Sequence, residues 1–282
     1  MTLRPELIEA FKQGRAAVFV GAGASMPSGL PGWSGFLSEL ITQAKSTPGV
    51  SADWVREYEE LVKDTSKNMV LASALKDDLA HNFSKYVERR FGDDALEPSD
   101  VHRALVELPT HFFVTTNYDQ LLERAYAEKH AGKRSLNTFT FRQVGQAASC
   151  LFRNKPFVLH VHGDAKTEPD RIVLTEKDYR LLIQNEAGFQ SLLQTLFTTF
   201  TVVFVGTSLN DIDVRLLLGF IHSSFHGKTP THYALMSDRG ATNAEMRLFF
   251  RDFNIEVIHI DHADLTGATV NFITELKAAI VS

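Results

Sequence analysis

Apolar residues gather along the chain in six short runs rich in β-branched and aromatic side chains: AAVFV (16–20), HFFVTT (111–116), FVLHV (157–161), TVVFV (201–205), THYAL (231–235) and IEVIHI (255–260). Most are near-continuous rather than alternating, the pattern of strands covered on both faces. Between and after them the period changes. QLLERAYAEKH, GFQSLLQTLFTTF, DVRLLLGFIHSSF, NAEMRLFFRDF and the closing VNFITELKAAIV repeat apolar residues at helical spacing. Strands alternating with helices predict an α/β fold, a Rossmann-like doubly wound parallel sheet of about six strands.

The first two runs lie about 90 residues apart, far more than one crossover needs. Two helical patterns stand in that gap. DWVREYEELVK places Trp54, Val55, Tyr58, Leu61 and Val62 on a common face, and a second pattern runs through Leu71, Leu75, Leu79, Phe83 and Val87. The expectation is one domain over residues 1–282 with a helical insertion at residues 45–105, and no internal repeat.

Composition narrows the classes. The chain has 282 residues, 44% hydrophobic and 22% charged, ordinary for a globular protein. Its net charge of −5, with no Lys/Arg block, argues against direct nucleic-acid binding. Cys150 is the one cysteine, which excludes an internal disulfide and a multi-cysteine zinc site and fits a reducing compartment. The N-terminal stretch reads as a short amphipathic helix with Leu7, Ile8 and Phe11 on one side, without a signal-peptide core. No run approaches the roughly 20 apolar residues that span a bilayer. A cytoplasmic protein with no membrane segment is expected.

Candidate chemistry lies at the strand ends, where ligands of such sheets bind. The first end reads VFVGAGASMPSGLPGW (18–33). Gly21 and Gly23 permit a tight turn and close approach of a ligand, and amides at a following helix start can hold a pyrophosphate. The dinucleotide fingerprint wants a third glycine where Met26 stands, and no second strand with a ribose-binding acid follows, so an ordinary Rossmann dehydrogenase is excluded. Trp33 reads either as part of a lid or as a half-buried anchor.

The second end is TTNYD (115–119), where Asn117 or Asp119 either serves a ligand or caps the following helix. The third, HVHGD (160–164), offers His162, which is either functional or structural, while His160 reads as packing or support. The fourth, VGTSLNDIDVRLLL (205–218), presents Gly206, Thr207 and Ser208, with Asp211 or Asp213 as possible caps.

GAGAS, TTNYD, HGD and GTSL, each directly after an apolar strand and in that order, resemble the motifs of the sirtuin family of NAD-consuming enzymes over about 190 of the 282 residues. The resemblance implies a single sirtuin-like NAD-binding domain. It assigns Gly21, Ala22, Gly23 and Ser25 to the NAD phosphates, Gly206, Thr207 and Ser208 to the adenosine side, and Thr116 to the NAD contacts. Asn117 would orient water or the ribose hydroxyls, Asp119 would position the nicotinamide, and His162 would be the base.

Sirtuin deacylases carry a four-cysteine zinc module, which this chain cannot build, so no metal is expected. The stretch AKTEPDRIVLTEKDYRLLIQNE (165–186) is similar instead to a bacterial sirtuin-like branch of anti-phage defence, in which LTxxDY follows the HG motif. That likeness implies an NAD+ hydrolase that releases nicotinamide and ADP-ribose and depletes NAD. It also implies a homo-oligomer under a separate partner such as a HerA-type hexameric ATPase; other relatives pair with short Argonaute-like proteins. A zinc-less deacylase or ADP-ribosyltransferase, and a non-catalytic NAD or ADP-ribose binding module, stay open as alternatives.

Overall fold

A computed structural model describes residues 3–282 apart from 210–214, 216–217, 220, 224, 227 and 238. Its centre is β1 (Ala16–Val20), buried at every position. The other strands are β2 (Phe112–Thr115), β3 (Asn137–Thr140), β4 (Phe157–His160), β5 (Thr201–Val205), β6 (His232–Ser237) and β7 (Ile255–Ile260). They form one sheet in the order β3-β4-β2-β1-β5-β6-β7, and each neighbouring pair runs parallel. The doubly wound α/β reading therefore holds, with seven strands among the described residues rather than about six. The additional strand, β3, has the sequence NTFT and lies at the sheet edge with Asn137 exposed and Thr138 and Phe139 only half-buried. A short, half-polar edge strand carries no apolar run, so periodicity passes over it.

Both sheet faces are covered, for the reason the near-continuous runs imply. Successive side chains of β1 point to opposite sides, sending Ala17 and Phe19 into one core cluster and Val18 and Val20 into another. On the first side lie α8 (Val144–Phe152), α9 (Glu176–Asn185) and α10 (Ala187–Thr199), where Phe197 packs on Phe204 with ring centroids 6.1 Å apart. The second side is closed by α1 (Pro5–Lys12), α6 (Asp100–Glu107), α7 (Leu121–Lys129) and the C-terminal α12 (Leu265–Val281), which supply Leu7, Leu105, Leu122 and Phe272. Each fully buried large apolar side chain stabilises the fold by roughly 1.5–3 kcal/mol. The remaining helix against β7 is α11 (Asn243–Phe253).

A third cluster belongs to α2 (Trp33–Ala44), α3 (Ala52–Leu61), α4 (Asn68–Leu79) and α5 (His81–Phe91). The pattern through Leu71 to Val87 is two helices, not one. Ala80, at φ 45° and ψ −122°, breaks the chain between α4 and α5, yet the four-residue spacing of buried side chains continues across the break. This helical layer meets the sheet through Tyr118, Leu121, Ile172 and Leu174. The Tyr118 ring stands edge-on to Phe36 and Phe91, with centroids 6.1 and 5.5 Å away.

Strand order reverses between β1 and β5. From β1 the chain proceeds to β2 on one side, and from β5 to β6 on the other, so the crevice that binds ligands in such sheets opens beyond the carboxyl ends of β1 and β5. No helix among the described residues is long and apolar enough to cross a membrane.

Candidate functional site

The loops leaving β1 and β5 touch backbone to backbone. Gly21 N–H donates to Val205 O at 2.9 Å and Gly23 N–H to Gly206 O at 2.8 Å. A Cβ on Gly21 would lie 2.6 Å from Gly206 O, and one on Gly206, whose φ is +70°, would lie 2.5 Å from Ala24 N. The two loops therefore require glycine for their own mutual approach. The amides of Ala24 and Ser25 turn back onto Gly21 O and Ala22 O, at 3.1 and 3.0 Å. Four of the five amides from 21 to 25 are thus donated within the protein, which sequence alone does not show.

Accessibility divides the predicted residues into a rim and a floor. Ala22, Gly23, Thr116, Gly206 and Thr207 are half-buried and Ser208 is exposed. Gly21, Ser25, Asn117, Asp119 and His162 are buried. Thr207 Oγ1 accepts the Leu209 N–H at 3.2 Å, which shapes the β5 loop. Asp211 and Asp213, read as possible caps, lie outside the described residues.

Asn117 is fixed from three sides. Its N–H donates to Thr115 Oγ1 at 3.0 Å, and that hydroxyl donates to Val20 O at 2.9 Å. Its side-chain Nδ2 donates to Gly21 O at 3.1 Å and to Ser25 Oγ at 2.9 Å. Both amide hydrogens are spent, so the group left to meet a ligand is the acceptor Oδ1. Tyr118, next in sequence, faces the helical layer and donates its hydroxyl to Val173 O at 2.9 Å.

Asp119 shows that capping and site roles coexist. Its Oδ1 accepts the Leu121 N–H at 3.1 Å at the start of α7, and the nearby Ser25 hydroxyl also favours the charged carboxylate. Burial pushes its pKa up to about 6, against the pull of those two donors and of His160.

β2 and β4 pair with Thr115 opposite His160 at their carboxyl ends, and Asn117 and His162 each follow two residues beyond. The His162 carbonyl accepts the Val173 N–H at 2.9 Å, and its ring stands edge-on to Tyr179, with centroids 5.2 Å apart. Gly163, at φ +93°, turns the chain away directly afterwards. Asp164 is fully buried and holds that loop, accepting from Gln120 Nε2 at 2.6 Å and from the Lys166 N–H at 2.8 Å.

Two features, Thr115 and His102, escaped the sequence reading, and a third, His160, reads from sequence only as packing or support. His160 donates from Nδ1 to Asn117 O at 2.9 Å and from Nε2 to Glu123 Oε1 at 2.8 Å, so both ring nitrogens carry protons. Burial alone would lower its pKa, but the adjoining Glu123 carboxylate outweighs burial and raises it. Thr115 was passed over beside Thr116. His102, on α6, reaches Ser25 Oγ with its Nε2 at 3.3 Å. A histidine three residues after Ser99 gives no signal of such a contact, because the pattern matches ordinary helix capping. Among the described residues no group of three or more His, Cys, Asp or Glu side chains is arranged to hold a metal ion.

Comparison with known proteins adds a family to this geometry. Residues 111–258, just over half of the chain, match the model of the SIR2-like domain. The chain is 26% identical over 229 residues to a protein named NAD(+) hydrolase ThsA from Acinetobacter baumannii, covering 81% of this chain and 44% of that protein. It is 28% identical over 231 residues to a protein of the same name from Enterococcus faecium, with coverage of 81% and 44%. It is 23% identical over 258 residues to Defense-associated sirtuin 2 of Bacillus subtilis, covering 90% of this chain and 24% of that one. The chain thus spans less than half the length of these relatives.

Proposed function

The chain belongs to the SIR2-like domain family, and from that premise we propose that it hydrolyses NAD+ at the nicotinamide N-glycosidic bond, depleting NAD in defence against phage. Relatives named NAD(+) hydrolase and a defence-associated sirtuin support the reading. The observation that carries it is Asn117, whose spent amide hydrogens leave Oδ1 as an oriented acceptor tied to the glycine loop beside the crevice where strand order reverses.

In this reading the half-buried rim of Ala22, Gly23, Thr116, Gly206, Thr207 and Ser208 receives the dinucleotide, with the phosphates toward the β1 loop and the adenosine side toward the β5 loop. Gly21 contributes by bringing the loops together, and Ser25 by holding Asn117. The ribose C1′–N bond breaks with its electron pair leaving on the nicotinamide nitrogen, which is thereby neutralised. Asn117 Oδ1 accepts a hydrogen bond from the ribose hydroxyl or from the attacking water. His162 takes one proton from the water as the new C–O bond forms, and the remaining O–H becomes the anomeric hydroxyl of ADP-ribose. Asp119 sits beneath and positions the nicotinamide end. No step calls for a metal.

Residues 45–105 are taken as a helical insertion in one NAD-binding domain, and the active form as a homo-oligomer governed by a separate partner such as a HerA-type ATPase. Nicotinamide release from NAD+ by wild type, His162→Ala and Asn117→Ala, with and without candidate partners, tests the activity. Turnover by wild type without any peptide, lost in both variants, is expected; a requirement for an acylated peptide would indicate a deacylase, and binding without cleavage a binding module. Sizing and pull-down test the assembly, and a monomer with full, unregulated turnover would remove that part.

A further inference from the structure

His102 is 1% exposed and belongs to none of the strand-end motifs. Its tautomer follows from its own helix cap. The Ser99 N–H donates to Nδ1 at 3.1 Å, and because a backbone N–H only donates, Nδ1 must present its lone pair. Burial, with repulsion from Arg103, lowers the ring's pKa to about 4, so it stays neutral and carries its proton on Nε2. The Ser99 hydroxyl lies 2.9 Å from the same Nδ1 and 2.8 Å from Ala24 O, so it both serves the ring and ties the start of α6 to the β1 loop.

The protonated Nε2 faces Ser25 Oγ at 3.3 Å, and Asn117 Nδ2 donates to the same oxygen at 2.9 Å. Ser25 Oγ has two lone pairs, and these two donors fill them. Its hydroxyl proton is left to point away from both, on the side of the Asp119 carboxylate, whose charged form Ser25 favours. The hydrogen bonds link the Ser99 backbone, His102, Ser25 and Asn117, with Asp119 beside Ser25.

We propose that His102 is a positioning residue for NAD+ cleavage, whose Nε2–H sets the direction of the Ser25 hydroxyl and through it the orientation of Asn117 and Asp119. The inference rests on the hydrolase reading. Without the His102 donor, one Ser25 lone pair is open and its hydroxyl is free to rotate away from Asp119. Asn117 is then held firmly by Gly21 O alone and loses the fixed acceptor on its Ser25 side, so Oδ1 is less precisely aimed. Substrate contacts at the rim are untouched, so the defect falls on turnover more than on binding.

Asp119 reports the change independently. It faces the Leu121 N–H and Glu123 from α7, His160 from β4 and the Ser25 hydroxyl from the β1 loop. Loss of the Ser25 donor removes one stabiliser of the charged carboxylate, so its titration moves up.

The experiment is nicotinamide release by the full chain, with whatever partner it requires, for wild type, His102→Ala, His102→Gln and Ser25→Ala across pH 5–9, beside NMR of the 15N-labelled imidazole rings. For His102→Ala and Ser25→Ala we expect kcat lower by ~10–100-fold with KM within about 3-fold, and an acid limb shifted to higher pH. His102→Gln, which returns an N–H near the Nε2 position, should recover most of the rate. The wild-type ring should show the Nε2–H tautomer down to pH 5. Wild-type kcat and acid limb in His102→Ala would overturn the proposal, as would an Nδ1–H tautomer. If His102→Ala does not fold, the rate of His102→Gln and the tautomer of the wild-type ring decide the question. If wild type releases no nicotinamide under any pairing, the hydrolase reading falls and the catalytic role with it, while the tautomer still reports on the hydrogen-bond chain.

Discussion

The side-chain amide of Asn117 donates to the hydroxyl of Ser25 at 2.9 Å, joining the end of β2 to the loop after β1 across 92 residues of sequence. The same amide reaches Gly21 O, so one side chain holds the glycine loop and is held by it. Binding geometry and stability are therefore linked at this point, and substitutions here should register in both.

Asn117→Ala removes one donor each from Gly21 O, which keeps the Ala24 N–H, and from Ser25 Oγ, which keeps His102, a loss of about 1–3 kcal/mol. NAD+ hydrolysis should fall by roughly 10²-fold or more, because the acceptor that orients the ribose or water is gone. Urea melts alongside nicotinamide release separate the two effects. Unchanged turnover would show that Oδ1 does not meet the reacting end.

Asp119 should impose a pH signature. Its pKa is about 6 in the folded chain against an ordinary 3.8, so between about pH 4 and 6 the folded state keeps a proton that the unfolded state has lost. Stability therefore declines across that window as pH rises, by on the order of 2–3 kcal/mol in total. Asp119→Asn should flatten the decline, as measured by denaturant melts at pH 4, 5, 6 and 7. A variant with the same pH slope as wild type would place the titration elsewhere.

The His160–Glu123 pair should act in the same direction, at higher pH. His160 has its pKa raised by Glu123, so its contribution is fully present below about pH 6.5 and is lost on the alkaline side as the folded-state value is crossed. Glu123→Ala removes the partner of a ring that is 0% exposed, at a cost of about 3 kcal/mol near neutral pH. The alkaline loss of stability should disappear in that variant. Because His160 Nδ1 also holds Asn117 O, nicotinamide release should weaken in parallel.

Gly206→Ala tests the contact between the loops. The added Cβ would meet Ala24 N at 2.5 Å from a backbone at φ +70°, and we expect a loss of roughly 2–4 kcal/mol together with loss of NAD binding by calorimetry. Gly29→Ala is the control: φ is +84° there, but nothing lies within 4 Å, so only the conformational strain of about 1 kcal/mol remains. Equal effects at both sites would mean that backbone strain alone, and not the loop contact, governs Gly206.

Much of the architecture was legible because burial on both faces writes itself as continuous apolar runs. β1 and β5 coincide with AAVFV and TVVFV, and the polar departures after β1, β2, β4 and β5 mark the carboxyl edge where the candidate site lies. β3 was not legible, since an edge strand needs few apolar residues, nor was the break at Ala80, since the four-residue spacing runs straight through it.

The sequence by itself determined the fold class, the order of the strand-end motifs, and the presence of Asn117, Asp119 and His162 at two strand termini, because periodicity and glycine placement are local properties of the chain. Only the tertiary structure decided what those residues touch. Ser25 turned inward to Asn117 and Asp119, His102 arrived from α6, and Gly21 and Gly23 met the β5 loop. Such contacts join positions far apart in sequence, and their geometry is set by parallel strand register and by the need of buried polar groups for partners, neither of which leaves a periodic trace in the sequence.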